Sequence, residues 1–287
     1  MKTKILNTFR NIFKNTFFEK IIISLIRASN NFVLFEKLAP NCYQYPKNTF
    51  REYDHKGIKL NLNISDYIQH YIYFSLKDVS HDKLLELLDK NAVVLDVGGN
   101  IGYTALRMAQ IVGEGGKIYT FEPDPLNYSN LTKNLSLNSF KNIFASNIGL
   151  GAEYKQVKLF VNTESNRGGN RINELADSNF EIVKIVPLDR FVADNSIDKI
   201  DLIKIDVEGY ELKVLKGANE ILRKHRPLLF IEFDNYNLTQ QNDSAKELIA
   251  YLKEFNYKIS HAETGDEITG ANLATYLDQH FDIVCRP

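Results

Sequence analysis

The sequence is poor in cysteine and has no long apolar run, internal repeat or low-complexity stretch. Its two cysteines, Cys42 and Cys285, are too few for a disulfide framework and cannot alone form a four-ligand zinc site. Their small number fits a reducing compartment. The richest apolar stretch, residues 21–26, is too short to span a bilayer, and no small-residue cleavage site follows it. We therefore expect neither a transmembrane helix nor a signal peptide.

Charge of one sign is not in excess either, with 35 lysines and arginines against 36 aspartates and glutamates. A net charge of −1 gives no sign of a nucleic-acid partner, and we predict none. With 287 residues, 44% hydrophobic and 25% charged, the chain has the composition of an ordinary globular protein. We divide it into an N-terminal extension over residues 1–79 and a larger domain over residues 80–287.

The first 30 residues carry six basic side chains and one acid, Glu19, interleaved with isoleucine, leucine and phenylalanine at close to helical spacing. Such helices most often pack against their own domain or a second subunit. They can also lie on an anionic membrane surface with the basic groups at the headgroups. Both readings stay open: a homodimer, or peripheral membrane contact through residues 1–30. We expect a cytoplasmic protein, at the inner face of the membrane if that contact forms.

From Ala92 onward, short apolar runs alternate with amphipathic segments. The runs predict strands at residues 93–95, 117–121, 143–145, 202–205, 228–231 and 281–284. The segments between them predict helices at 101–111, 125–138, 210–224 and 243–255. This alternation predicts a doubly wound α/β domain with a mainly parallel sheet. Two other strand pairs are predicted, one over residues 50–64 and a hairpin-like excursion formed by 156–161 and 181–186.

A glycine-bearing turn, Asp96-Val97-Gly98-Gly99-Asn100-Ile101-Gly102, follows the first of these strands. Glycine lets a ligand approach the backbone, and the next helix offers its free N–H groups there. At the end of the second strand, Glu122 is placed to accept the hydrogen bonds of a ribose diol.

The turn does not match the usual nucleotide motifs. Val97 stands where the dinucleotide fingerprint needs its first glycine, and the phosphate-loop pattern is absent. Asp96 would repel a pyrophosphate but suits a ligand with an amine or a sulfonium. We therefore predict that the turn binds S-adenosylmethionine.

Four motifs occur in order: residues 96–102, Phe121-Glu122-Pro123, residues 134–138 and residues 203–211. Together they resemble the FkbM family of S-adenosylmethionine-dependent methyltransferases, over about residues 80–235. The resemblance implies a Rossmann-like class I methyltransferase fold, with seven strands of which the last is antiparallel. It also implies O-methylation of a sugar or secondary-metabolite hydroxyl.

The resemblance also assigns cofactor-binding positions. Asp96, Gly98 and Gly102 would shape the methionine end of the cofactor site, and Glu122 would bind the ribose. Asn147 would lie near the adenine, and Asn100 is a further cofactor-binding position. One departure is Gly99, where the family commonly has alanine. We expect this glycine to loosen the turn without removing any contact.

The strand at 202–205 continues into charged residues. Lys204 and Asp206 share one side of it, Glu208 lies just past its end, and Glu232 has the matching height on the next strand. An acceptor hydroxyl becomes a better nucleophile when a base takes its proton. We nominate Asp206, Glu208 and Glu232 as base or acceptor-orienting groups, with Lys204 setting their charge state.

Other readings of this segment remain. Lys204 and Asp206 would then be only a structural pair, and we expect Glu211 to be ordinary helix surface. A divalent metal held by these carboxylates stays open as an alternative, but they lack clear metal-ligand spacing, so no metal site is predicted.

The sequence predicts an O-methyltransferase that acts on a hydroxyl of a sugar, glycan, glycolipid or related metabolite. Two alternatives stay open. One is N-methylation of an amine or a protein side chain, and the other is a non-catalytic scaffold that only binds the cofactor.

Overall fold

The computed structural model describes residues 7, 10–28, 37–76, 78–162, 166–172 and 178–287. Predictions for residues 1–6, 8–9 and 29–36, part of the basic N-terminal segment, lie outside the described residues. The chain divides into two compact units. One comprises Met1–Asp78 with Asn162–Gly168, and the other comprises Val79–Val161 with Gly169–Pro287.

In its described residues, the first unit contains helices and an antiparallel strand pair. Its elements are α1 (Thr16–Ala28), β1 (Phe50–His55), β2 (Ile58–Asn63) and α2 (Tyr67–Tyr73). The strands pair antiparallel around Lys56 and Gly57, both in the left-handed region, which confirms the predicted strand pair. Asp66 caps α2 by accepting from the Gln69 N–H.

Glu19, the acid of the basic N-terminal segment, is completely buried in α1. Its two carboxylate oxygens accept from Arg51 Nε at 2.9 Å and Nη2 at 3.1 Å, and Tyr73 Oη donates to it at 3.0 Å. A buried carboxylate needs such partners to offset its loss of hydration. The charge of α1 that remains at its surface is therefore positive.

The second unit alternates strands and helices. Its elements in chain order are α3 (Val79–Glu86), β3 (Val93–Val97), α4 (Tyr103–Val112), β4 (Lys117–Phe121), α5 (Pro125–Ser136), β5 (Ile143–Ser146), β6 (Gly149–Leu150), β7 (Lys155–Phe160), β8 (Arg171–Ile172), β9 (Phe180–Val186), α6 (Leu188–Asp194), β10 (Leu202–Ile205), α7 (Glu211–Lys216), α8 (Asn219–Lys224), β11 (Leu228–Asp234), α9 (Asn235–Gln240), α10 (Ala245–Glu254), β12 (Lys258–His261) and β13 (His280–Arg286).

Seven of these strands form the main sheet, in the order β12-β13-β11-β10-β3-β4-β5. β13 is antiparallel to both of its neighbours, and the other pairings are parallel. The predicted α/β fold with an antiparallel last strand is confirmed. The predicted helix at 210–224 divides into α7 and α8 at Gly217, where a side chain would lie 2.0 Å from the Gly151 carbonyl oxygen.

A smaller sheet has the order β6-β9-β7-β8. β7 and β9 pair antiparallel from Lys155↔Ile185 to Phe160↔Phe180, which confirms the predicted hairpin-like excursion. The sequence did not predict β12, because of its four residues only Ile259 is buried. A strand with one buried residue leaves no alternating pattern to read.

The apolar side chains of β3 and β10, such as Leu95, Ile203 and Ile205, are almost completely buried. Because β3, β4, β10 and β11 are parallel, their carboxyl ends meet at one edge of the sheet, where open α/β folds bind ligands. Among the described residues, no helix is both long and apolar enough to cross a bilayer.

Candidate active site

The turn between β3 and α4 is fixed against the end of β4. The amides of Gly98 and Gly99 both donate to the Phe121 carbonyl, at 3.0 and 2.9 Å. Gly98, Asn100 and Gly102 have φ of 86°, 48° and 83°. These left-handed conformations direct the backbone across the sheet edge and start α4 at its glycine cap.

Gly98 also approaches the neighbouring strand closely. A Cβ at this position would lie 1.9 Å from the Asp206 carbonyl oxygen, just beyond β10. A side chain is therefore excluded by space as well as by φ. This approach places the glycine turn directly beside the acidic end of β10.

Lys204 lies beneath the turn and is buried. Its Nζ donates to the Gly98 carbonyl at 2.7 Å and lies 3.5 Å from Asp96 Oδ1 and 3.2 Å from Asp206 Oδ2. Burial alone would lower the pKa of Lys204, but the carboxylates of Asp206 and Asp96 raise it overall. Lys204 is therefore a cation that joins two strands and the turn.

Asp96 is completely buried, and its Oδ2 accepts from Thr120 Oγ1 at 2.8 Å. Burial raises the pKa of this carboxyl, and the Lys204 ammonium opposes that rise. In this structure Asp96 therefore supports the turn from below. Its negative charge faces Lys204 rather than open space.

Thr120 also explains the unusual Gly99. A Cβ at Gly99 would lie 2.1 Å from Thr120 Oγ1, the hydroxyl that donates to Asp96. Gly99 therefore has a steric role that its place in the turn did not predict. Gly99 makes the space that the Thr120 hydroxyl needs.

Glu122 follows the last residue of β4 and is 6% exposed. Its Oε2 accepts from the Asn100 N–H at 2.7 Å, and its Oε1 accepts from the Asp124 N–H at 2.9 Å. Burial raises the pKa of Glu122 to about 8, although the two N–H groups lower it in part. Asn147 is exposed and donates to the carbonyls of Glu122 and Pro123 at 2.8 and 3.1 Å, which holds the segment that carries Glu122.

The three nominated carboxylates lie at one edge. Ile205 of β10 pairs with Ile231 of β11, so the next residues, Asp206 and Glu232, lie side by side. On its other side, Glu232 pairs with Asp282 of β13. The Asp206 side chain is 47% exposed, whereas Glu232 is buried. Burial and then the Asp206 charge raise the pKa of Glu232 well above its usual range.

Glu208, the third carboxylate, has a positive φ of 54° just past β10. Its Oε2 accepts from Asn237 Nδ2 at 2.8 Å. Burial and the Asp206 charge raise the pKa of Glu208 to about 7. The edge therefore holds an exposed carboxylate, Asp206, beside two more buried ones, Glu208 and Glu232, whose pKa values are raised.

The expectation that Glu211 is ordinary helix surface is wrong. Its side chain is 1% exposed, and its Oε1 accepts from the N–H groups of Gly209 at 3.0 Å and Val207 at 3.2 Å. Glu211 is the first residue of α7, so its carboxylate reaches back to free amides of the preceding loop. Helical spacing alone does not reveal such a terminal role.

Sequence reasoning missed His280, the first residue of β13. Its Nδ1 lies 3.1 Å from Asp234 Oδ2, and its Nε2 lies 3.6 Å from Glu232 Oε1. One signal could have found it: an antiparallel strand begins at the edge where its parallel neighbours end. The first residue of the implied antiparallel strand therefore falls beside the acidic residues.

The arrangement fits S-adenosylmethionine. The turn has no side chain where Gly98 approaches Asp206, and α4 begins there. Among the described residues each oxygen of the buried Glu122 accepts from one N–H group, and a carboxylate oxygen can accept a second hydrogen bond. Within the described ranges, no group of three or more histidine, cysteine, aspartate or glutamate side chains is arranged to hold a metal ion.

The strand order of the main sheet and the glycine turn after β3 are those of the class I methyltransferase fold. Residues 96–259, more than half of the chain, match the family model described as the methyltransferase FkbM domain. The chain belongs to the FkbM family of methyltransferases, whose methyl donor is S-adenosylmethionine.

Several curated proteins are similar to the chain. Methyltransferase sdnD of Sordaria araneosa is 32% identical over 179 residues, which cover 51% of this chain and 69% of the relative. The hexuronic acid methyltransferase AglP of Haloferax volcanii is 29% identical over 140 residues, which cover 49% of this chain and 55% of that protein. The chain thus spans little more than half the length of AglP.

The 2-O-methyltransferase NoeI of Sinorhizobium fredii is 24% identical over 189 residues, which cover 61% of this chain and 77% of that protein. Among solved structures, the FkbM methyltransferase from Methylobacillus flagellatus KT is 18% identical with a TM-score of 0.47. The match covers 76% of this chain and 52% of that one.

The contact between Gly99 and Thr120 predicts a coupled pair of substitutions. Gly99→Ala should lower the free energy of unfolding by about 1–3 kcal/mol, because its methyl group overlaps the Thr120 hydroxyl. In a Thr120→Ala background the same change should cost far less. A double-mutant cycle by urea denaturation measures the coupling. Gly270→Ala, with nothing within 4 Å of its Cβ, is the matched control, and additive effects would contradict the contact.

Because the pKa of Glu122 is raised, we predict that the affinity for S-adenosylmethionine depends on pH. A ribose diol donates to an ionised carboxylate, and the folded carboxyl gives up its proton only near pH 8. The affinity for S-adenosylmethionine should therefore rise between about pH 6 and 9, and Glu122→Gln should remove that slope. Calorimetric titrations over this range measure it, with the exposed Glu114→Gln as control.

The stability of the folded protein should fall over the pH range in which the affinity rises. An unfolded glutamate loses its proton near pH 4.5, so the folded state binds the additional proton up to about pH 8. The wild type should lose stability relative to Glu122→Gln as the pH rises through this window. Equal pH slopes for the two proteins, in affinity and in stability, would show that the Glu122 carboxyl is not perturbed.

Proposed function

We propose that the chain transfers a methyl group from S-adenosylmethionine to a hydroxyl of a sugar, glycan, glycolipid or related metabolite. The observation that carries this proposal is the row of carboxylates beside the glycine turn. In that row Asp206 lies between Gly98 of the turn and Glu232 of β11. Carboxylates accept hydrogen bonds from hydroxyls and can take their protons. The similarity to relatives named for hexuronic acid methylation and 2-O-methylation supports an oxygen acceptor.

The cofactor roles follow the geometry. The positions that we assign to the cofactor, through backbone or side chain, are Asp96, Gly98, Asn100, Gly102, Glu122 and Asn147. Glu122 would accept from the ribose, while Asp96 and Asn147 act by holding the turn and the segment after β4. When bound, the cofactor supplies a methyl group on a positively charged sulfur.

The acceptor roles belong to Asp206, Glu208 and Glu232. Asp206 is exposed enough to receive a hydroxyl group, and the buried Glu232 has a raised pKa suited to holding a proton. Lys204 balances the charge of Asp206 and keeps its carboxylate next to the turn. Methyl transfer needs mainly alignment of the nucleophile with the methyl carbon, so these side chains orient as much as they activate.

A transfer assay tests the proposal. Purified protein with radiolabelled S-adenosylmethionine and a panel of neutral, amino and acidic sugars should give a product with a methoxyl group, identified by NMR. Asp206→Asn and Glu232→Gln should lower kcat by about 10²–10⁴-fold with little change in cofactor affinity. The exposed Asp278→Asn is the control.

The outcomes separate the alternatives. A methyl group on nitrogen would replace the proposal by N-methylation. Cofactor binding without transfer to any acceptor, unchanged in the Asp206 and Glu232 variants, would favour a scaffold.

We further propose that α1 lies on the inner, cytoplasmic face of an anionic membrane. Phe17, Ile21 and Leu25, four residues apart, form an exposed stripe and are 67%, 41% and 39% exposed. Lys20 is also exposed, whereas Glu19 is buried and paired with Arg51. An apolar stripe with positive charge beside it is complementary to the headgroup region of such a membrane.

Vesicle flotation tests this placement. The wild type should float with vesicles of phosphatidylcholine and phosphatidylglycerol but not with phosphatidylcholine alone, and Phe17→Ser with Ile21→Ser should abolish binding. Ile182→Ser, which changes an exposed apolar residue of the other unit, is the control. If the stripe instead covers a second copy, sedimentation will show a dimer that the double variant disrupts, and the membrane proposal fails.

A further inference from the structure

His280 lies between two carboxylates at the edge of the sheet. Its Nδ1 is 3.1 Å from Asp234 Oδ2, and its Nε2 is 3.6 Å from Glu232 Oε1. The imidazole is 63% exposed, while Glu232 is 8% and Asp234 19% exposed. The ring therefore lies between the buried Glu232 carboxyl group and the solvent.

The hydrogen-bond partners of Asp234 decide how the ring is oriented. Asp234 Oδ1 caps α9 by accepting from the N–H groups of Tyr236 and Asn237, at 2.8 and 3.1 Å. Its Oδ2 faces His280 Nδ1, and an ionised carboxylate can only accept. Nδ1 therefore carries a hydrogen, and in the neutral ring the Nε2 lone pair faces Glu232.

Glu232 is the group best placed to hold a transferred proton. Among the described residues its buried Oε2 has no hydrogen-bond partner, and its Oε1 lies 3.6 Å from His280 Nε2. The charged groups that act on it are the carboxylates of Asp206 and Glu208 after β10, Glu211 on α7 and Asp282 on β13, together with the His280 ring. Because carboxylates predominate among these neighbours, an ionised Glu232 binds a proton more tightly than an ordinary glutamate does.

We propose that Glu232 takes the proton of the acceptor hydroxyl and that His280, oriented by Asp234, passes it to the solvent. This relay rests on the proposed methylation of a hydroxyl. The acceptor oxygen forms its bond to the methyl carbon, and the electron pair of the broken carbon–sulfur bond stays on sulfur. The hydroxyl proton moves to Glu232, then to His280 Nε2, and then to water.

The tautomer of His280 tests the relay without any turnover. Nitrogen-15 NMR of the histidine rings at pH 8.5, assigned with His280→Gln, should show hydrogen on Nδ1 and a free Nε2. Asp234→Asn keeps a good helix cap but presents an amide donor to Nδ1, so it should move the hydrogen to Nε2. A wild-type ring with its hydrogen on Nε2 would overturn the relay.

Kinetics form the second part of the test. With an acceptor that the wild type methylates, His280→Ala and His280→Gln should both lower kcat about 10²-fold and leave the cofactor Kd unchanged. Added imidazole should restore His280→Ala at least tenfold, because the position is open to solvent. Gln279→Ala, at the exposed neighbouring residue, is the control.

The outcomes are distinguishable. A kcat within twofold of the wild type in both His280 variants, or a loss that imidazole does not restore, would overturn the relay while methyl transfer by the wild type still stands. If the wild type methylates no hydroxyl, the proposed function fails, and a ring with hydrogen on Nε2 would overturn the relay separately.

Discussion

One buried ammonium group connects the elements of the site. Lys204 Nζ donates to the Gly98 carbonyl and lies between Asp96 at the end of β3 and Asp206 just past β10. Moving a charge out of water costs several kcal/mol unless close partners offset it, and here two carboxylates and a carbonyl do so. The glycine turn, the buried Asp96 and the acidic edge therefore depend on the same cation. Gly98 also approaches the Asp206 carbonyl oxygen here, within a distance that leaves no space for a side chain.

The carboxylates of the acidic edge lie close enough to raise one another's pKa values. Asp206 and Glu208 act on Glu232 through their charges, and burial adds to the effect, so carboxyl groups here release protons at higher pH than usual. Groups that titrate near neutral pH suit a reaction in which an acceptor hydroxyl loses a proton. His280 extends this edge to the solvent along a strand that runs against its neighbours.

The first unit shows a different use of a buried charge. Glu19 is buried beneath α1, where it accepts hydrogen bonds from Arg51 and Tyr73. The exposed face of α1 therefore carries aromatic, aliphatic and basic side chains. The opposite face of α1 buries Ile22, Ile23 and Ile26. A helix that is apolar on two faces covers its own unit with one of them and leaves the other free to contact a second surface.

The sequence by itself determined the order of strands and helices, the class of the fold and the glycine turn, because apolar periodicity and local turn chemistry are properties of neighbouring residues. It also brought Asp206, Glu208 and Glu232 to one edge, since parallel strands end together. Only the tertiary structure decided that Asp96 faces Lys204, that Gly99 makes room for Thr120, that Glu211 is buried and that His280 joins the site. These facts depend on which strands lie side by side and on the space between them. Burial and long-range pairing of that kind leave no local pattern in the chain.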